Sequence, residues 1–61
     1  MSTMWRSWEQ MRDTYGRMDF PVGWVFNEPT YVRTSSGIEL LLIVHPTQGY
    51  RVLRERRLQC Q

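Results

Sequence analysis

The sequence contains few of the residues that stabilise small folds through disulfides or metal sites. Its 61 residues include one cysteine, Cys60, and one histidine, His45. A lone cysteine cannot form an internal disulfide, and these two residues cannot supply the full ligand set of a structural zinc site. We therefore expect the stability of so short a chain to come from close packing or from association with another chain.

Lysine is also absent, since all eight basic residues are arginine. The planar guanidinium forms paired hydrogen bonds and stacks on aromatic rings, and arginine is common at interfaces. The formal net charge of +2 is low for a nucleic-acid-binding protein. No apolar run reaches membrane-spanning length, and the N-terminus lacks the apolar segment of a signal peptide. Together with the free cysteine, this predicts a cytoplasmic protein without membrane contact.

Residues that carry catalysis form no recognisable pattern in this chain. His45 follows the strongest apolar run, but Glu39 lies too far along the same strand to orient it as a base. The carboxylates show no paired spacing, and the four glycines are isolated, so no phosphate-binding loop is predicted. A chain of this length also has little volume for a pocket. We expect no enzymatic activity, no cofactor or metal, and no small-molecule substrate.

Apolar residues near the N-terminus recur at helical spacing. They are Met4, Trp8, Met11, Tyr15 and Met18. This stripe predicts an amphipathic helix over about 3–16 that ends at Gly16. Ser2 or Thr3 could cap its start, but Ser7 with Gln10 also matches a capping box, which would begin the helix later.

Beyond the predicted helix, the pattern changes to strands separated by short turns. Phe20-Pro21 breaks the helix, because the residue before proline disfavours helical backbone. Apolar and aromatic runs between turn residues predict strands over about 22–27, 30–34, 38–45 and 50–56. We therefore predict a single α+β domain over 1–61, with the N-terminal helix packed on a three- to four-stranded antiparallel β-meander.

The predicted strand over 38–45 is apolar on both faces. One face carries Ile38, Leu40, Leu42 and Val44, and the other carries Glu39, Leu41, Ile43 and His45. One short helix can cover only one face, so we expect the second to be a protein interface. The expected interface residues are Leu41, Ile43, Leu53, Val25 and Trp5. The alternative is a strongly twisted, barrel-like sheet that covers both faces within one chain.

These patterns lead to two functional hypotheses. The first is a small protein-interaction module, a stoichiometric inhibitor or regulator of the kind encoded by phages and mobile elements, that binds a protein partner or forms a homodimer through the sheet. The alternative is a nucleic-acid-binding regulator that uses C-terminal arginines and sheet aromatics. Its expected residues are Arg51, Arg54, Arg56, Arg57 and Tyr50. On a regular strand, Arg54 and Arg56 share one face, and Arg51 and Arg57 share the other.

Overall fold

The computed structural model describes residues 4–58, which form one helix and a four-stranded antiparallel sheet. The helix α1 spans Trp8–Tyr15, and the strands are β1 (Met18–Asp19), β2 (Thr30–Thr34), β3 (Ile38–His45) and β4 (Gly49–Arg57). The sheet order is β1-β2-β3-β4. The predicted α+β class, with a helix packed on an antiparallel meander, is confirmed. Within residues 4–58 the sheet is open, with β1 and β4 at its edges, and does not close into a barrel.

The helix begins at the later of the two predicted starts. The Ser7 hydroxyl accepts a hydrogen bond from the Gln10 amide at 3.1 Å, and the Gln10 side chain accepts one from the Ser7 amide at 2.8 Å. This capping box satisfies amides that a first helical turn leaves unpaired. The predicted start near residue 3 is therefore wrong, while Ser2 and Thr3 themselves lie outside the described residues. The predicted end is confirmed at Gly16, whose φ is 84°.

The core lies between α1 and one face of the sheet. Met11 and Tyr15 from the helix pack against buried aliphatic residues of β2 and β3, which are Val32, Leu40, Leu42 and Val44. Burial of one such side chain stabilises the fold by about 1.5–3 kcal/mol. Trp8 belongs to the predicted apolar stripe, but as the first residue of the helix it lies outside this core and is 49% exposed. Met4 precedes the helix and is also exposed.

The predicted strand over 22–27 does not form. The connection between β1 and β2 folds as turns instead, with Asn27 at a φ of 66°. Its aromatic rings pack on one another, with centroids 5.1 Å apart for Phe20 and Trp24 and 5.0 Å apart for Trp24 and Phe26. The composition that favours a strand is also compatible with aromatic side chains that pack on one another, and here Phe20, Trp24 and Phe26 form a loop cluster. The first strand of the sheet is the short β1.

Candidate functional site on the open face of the sheet

A one-residue irregularity in β4 decides which arginines share a face. Ile43 lies opposite Arg51, but Leu41 lies opposite Arg54, so β4 uses one more residue than β3 over this stretch. Leu53 is the extra residue of this β-bulge. Because directly opposed residues of antiparallel strands point to the same side, Arg51 and Arg54 both join the face of Leu41 and Ile43. The predicted assignment of Arg51 to the opposite face is wrong for this reason.

The sheet side turned away from α1 is named the open face here. Its members follow from the register of the four strands, since the residues between them fill the core on the other side. Leu41 and Ile43 are half-buried at its centre. Around them lie Tyr31, Arg33, Glu39, Arg51, Arg54 and Arg56.

Glu39 is the carboxylate at one end of the open face, and two arginines hold it. Arg56 donates a hydrogen bond to Glu39 at 2.6 Å, and the Arg33 Nε lies 3.9 Å from its other oxygen. The Glu39 side chain is only 13% exposed, whereas those of Arg33 and Arg56 are 72% and 70% exposed. Most of the guanidinium donors therefore point to solvent, while the carboxylate lies beneath them.

Tyr31 and Arg54 extend this polar border beside Leu41. The Arg54 Nη2 donates a hydrogen bond to the Tyr31 hydroxyl at 2.9 Å. A shallow depression of about 300 Å³ lies between these two residues, Glu39 and Arg56. Its lining combines one aromatic ring, two guanidinium groups and the Glu39 carboxylate, which Arg56 pairs with. The guanidinium donors that remain suit a carboxylate or phosphate oxygen.

Trp5 lies at the other end of the face, near Ile43. The guanidinium carbon of Arg51 lies 4.5 Å from the centroid of the Trp5 ring, a cation–π geometry. Trp5 also meets the His45 ring edge-on at 5.4 Å. The His45 Nδ1 accepts hydrogen bonds from the amides of Thr47 and Gln48, both at 3.1 Å, so this histidine organises the β3–β4 turn.

The remaining predicted site residues lie outside the open face or at its edge. Leu53 is half exposed at the bulge, and Val25 belongs to the β1–β2 connection, not to the sheet. Tyr50 lies opposite Val44 and packs partly buried against the core. Arg57 lies opposite Ile38, on the core side of the sheet. Of the five residues predicted for nucleic-acid binding, the structure brings together Arg51, Arg54 and Arg56.

Sequence reasoning did not assign Tyr31 and Arg33 to the open face, whereas it placed Glu39 on the same face as Leu41 and Ile43. A signal for these two existed in the alternation of β2, where Tyr31 and Arg33 are exposed and Val32 and Thr34 are buried. The bulge at Leu53 had no such signal, because nothing in the sequence distinguishes it from a regular strand position.

The helix side of the molecule carries a second exposed apolar region. A groove of about 410 Å³ lies beside the β3–β4 turn and is bordered by Trp8 and Phe26. Both rings are about half exposed, and the neighbouring Trp24 is also exposed. In the part of the chain that the structure describes, no Arg, Asp or Glu side chain lines this groove, so its chemistry is less specific than that of the open face.

A partly buried polar network joins the helix to β4 below the open face. The Tyr15 hydroxyl donates a hydrogen bond to Glu55, and Arg6 donates one to the Tyr15 oxygen at 3.4 Å. Burial raises the pKa of the Tyr15 phenol above its ordinary value of 10.0, and the hydrogen bond to Glu55 raises it further. Burial also raises the pKa of Tyr50.

Among residues 4–58 there is no cluster of three or more side chains suited to hold a metal ion. In the same range, no helix is long and apolar enough to cross a membrane. Comparisons with protein families, with curated proteins and with solved structures found no match. The functional argument therefore depends on the open face itself.

Proposed function

We propose that the protein is a protein-binding module whose docking surface is the open face. The observation that carries this proposal is the position of Leu41 and Ile43, half-buried at the centre of a sheet face that α1 does not cover. Arginine and tyrosine surround these two aliphatic residues. Protein interfaces share this arrangement, with little charge at the centre and with arginine and aromatic residues enriched overall.

The energetics of a small domain support the same proposal. Its expected total stability is roughly 3–9 kcal/mol at this chain length. Complete burial of Leu41 and Ile43 by a partner would add apolar contact worth about 25 cal/mol for each Å² removed from water. A partner is thus a source of stabilisation that the isolated chain lacks. Binding without catalysis fits a stoichiometric inhibitor or regulator that acts in the cytoplasm.

Affinity capture from cells of the encoding organism tests this function. The tagged wild-type chain is compared with Leu41→Glu and with Val22→Glu, which introduces the same charge at a fully exposed loop position. We expect the wild type and Val22→Glu to capture a common partner protein. Leu41→Glu, although folded, should fail to capture it. Identical sets of captured proteins for all three chains would contradict the proposal.

A second candidate function is binding of single-stranded nucleic acid. The specific observation in its favour is the bulge at Leu53, which places Arg51, Arg54 and Arg56 on one face beside Tyr31. Sheet surfaces that combine arginine with aromatic rings bind single strands through phosphates and base stacking. This candidate predicts affinity that falls steeply between about 50 mM and 200 mM salt. Absence of oligonucleotide binding at low salt would remove it.

A further inference from the structure

The open face carries more arginines than carboxylates. The register places four arginines on this side of the sheet, at positions 33, 51, 54 and 56. The carboxylates on the same side are Glu39 and Asp19, which lies opposite Arg33 at the β1 edge. Glu39 is already held by Arg33 and Arg56. The surface available to a partner is therefore positive.

The donors on this surface are arranged around an apolar centre. Arg33 and Arg56 expose most of their side chains, and Arg54 is held by the Tyr31 hydroxyl beside Leu41. Arg51, in contrast, is occupied by its contact with Trp5. A ligand that matches this pattern presents carboxylates to the three available arginines and apolar side chains to Leu41 and Ile43.

We infer that the partner of the open face is an acidic polypeptide segment in which carboxylate and aliphatic side chains are interspersed. This inference rests on the proposed protein-binding function and specifies the chemistry of the partner. Each guanidinium can form paired hydrogen bonds with a carboxylate, and Arg54 and Arg56 border a shallow depression whose Glu39 carboxylate is already paired with Arg56.

A second copy of the chain is a poor match for this face. In a twofold-symmetric dimer this net-positive patch would face an identical net-positive patch, so the excess of arginine would stay unneutralised. Directly opposed like charges destabilise paired surfaces. The charge pattern therefore favours a foreign acidic chain over the homodimer that the sequence suggested.

A nucleic acid is also a poorer match than an acidic polypeptide. The centre of the face consists of Leu41 and Ile43, which offer no flat ring for a base. Arg51 covers Trp5, which leaves Tyr31 as the half-exposed aromatic ring of this face. Single-strand binding usually needs several such stacking platforms.

Fluorescence anisotropy with defined probes tests the inference. The probes are a labelled peptide in which glutamate and leucine are interspersed, the same peptide with glutamine at each glutamate, and a labelled oligothymidylate. The protein variants are Arg33→Gln/Arg54→Gln and the matched control Arg12→Gln/Arg17→Gln, whose arginines lie on or just after the helix.

We expect the glutamate peptide to bind at least about tenfold more tightly than its glutamine counterpart, because charge complementarity supplies the difference. We also expect Arg33→Gln/Arg54→Gln to weaken glutamate-peptide binding at least about fivefold, and the control pair to change it less than about twofold.

The other outcomes distinguish the inference from the function on which it rests. Equal binding of the two peptides, lost in Leu41→Glu, overturns the acidic preference but keeps the face as a peptide-binding surface. Tighter binding of oligothymidylate than of either peptide overturns both. Absence of binding by every probe overturns the acidic preference, and the capture experiment with Leu41→Glu then decides the function separately.

Discussion

Leu41 lies directly opposite Arg54, one residue later on β4 than an unbroken register from the Ile43–Arg51 pair would place its partner. The bulge that causes this shift has a functional consequence. Without it, Leu53 would lie opposite Leu41 and the arginines would be divided between the two sides of the sheet. With it, Arg51, Arg54 and Arg56 border the same apolar centre.

Two neighbouring residues of β3 are predicted to respond differently to a charge. Leu41→Glu should leave a folded chain that is destabilised by roughly 1–2 kcal/mol, because only part of its apolar surface is buried. Leu42 is fully buried against the helix, so Leu42→Glu should unfold the chain by placing an unpaired carboxylate in the core. Chemical denaturation followed by circular dichroism measures both. Unfolding of Leu41→Glu would show that the open face is an internal surface.

Two residues of the apolar stripe are predicted to differ in their contribution to stability. Met11 is fully buried, so Met11→Ala should lower the free energy of unfolding by about 2–5 kcal/mol. Trp8 is half exposed, and Trp8→Ala should cost less than Met11→Ala despite the larger side chain that it removes. Thermal and denaturant unfolding of the two variants under the same conditions compares them. A larger loss for Trp8→Ala would place Trp8 in the core and contradict the structure.

Gly49 is predicted to tolerate no side chain. Its φ is 102°, and a Cβ at this position would overlap the carbonyl oxygen of Arg6. Gly37 also has a positive φ, of 81°, but nothing lies within 4 Å of the corresponding Cβ position. Gly37→Ala should therefore cost only the strain of the left-handed backbone, about 1–2 kcal/mol. Gly49→Ala should cost more.

Gly49→Ala should also change the environment of Trp5. Arg6 and Tyr50 form two backbone hydrogen bonds, each of 2.8 Å, which hold the N-terminal segment and therefore Trp5 beside β4. Gly49→Ala should break this bridge and change the fluorescence of Trp5, whereas Gly37→Ala should not. The wild-type chain and a Trp5→Phe variant provide the references for the fluorescence. Equal effects of the two alanine substitutions would contradict the close packing of Arg6 on Gly49.

The tyrosines of the core predict loss of stability at alkaline pH. The pKa values of Tyr15 and Tyr50 are raised in the folded chain, chiefly by burial, so folding favours the neutral phenols. The unfolded chain ionises them near their ordinary pKa of 10.0. The stabilisation is fully present below pH 10.0 and is lost as the pH rises through the higher folded-state values.

Denaturation at a series of pH values measures this effect. At neutral pH, Tyr15→Phe should cost about 1 kcal/mol, because Glu55 loses its hydrogen-bond donor. Above pH 10.0 the difference between Tyr15→Phe and the wild type should shrink, since phenylalanine does not ionise. Parallel curves for the two proteins across this range would show that Tyr15 is not buried as described.

The sequence predicts those parts of the fold that depend on local pattern. The apolar run from Ile38 to Val44 predicts β3, and the turn residues around it predict its two neighbours in the sheet. The segment around Trp24 is different, because its composition fits both a strand and an aromatic loop cluster. Which of these forms depends on contacts such as the hydrogen bond from the Asn27 amide to the Val44 carbonyl, at 2.8 Å.

Only part of the candidate site can be predicted from the sequence. The exposure of Leu41 and Ile43 follows from the two apolar faces of β3 and from the single short helix. The arginine border does not follow, because it depends on the pairing register, and a shift of one residue moves every later side chain of a strand to the opposite face. Arg51 changes side in this way at Leu53.

The central claim is that the open face binds a protein, and site-specific photocrosslinking at Ile43 tests it most directly. A photoreactive residue is placed at Ile43 in one variant and at Val22, a fully exposed loop position, in a control. Both are expressed in cells of the encoding organism and irradiated. The account predicts a covalent adduct with an acidic protein from Ile43 and none of the same mass from Val22. Adducts from Ile43 that contain only nucleic acid, or none at all, would contradict it.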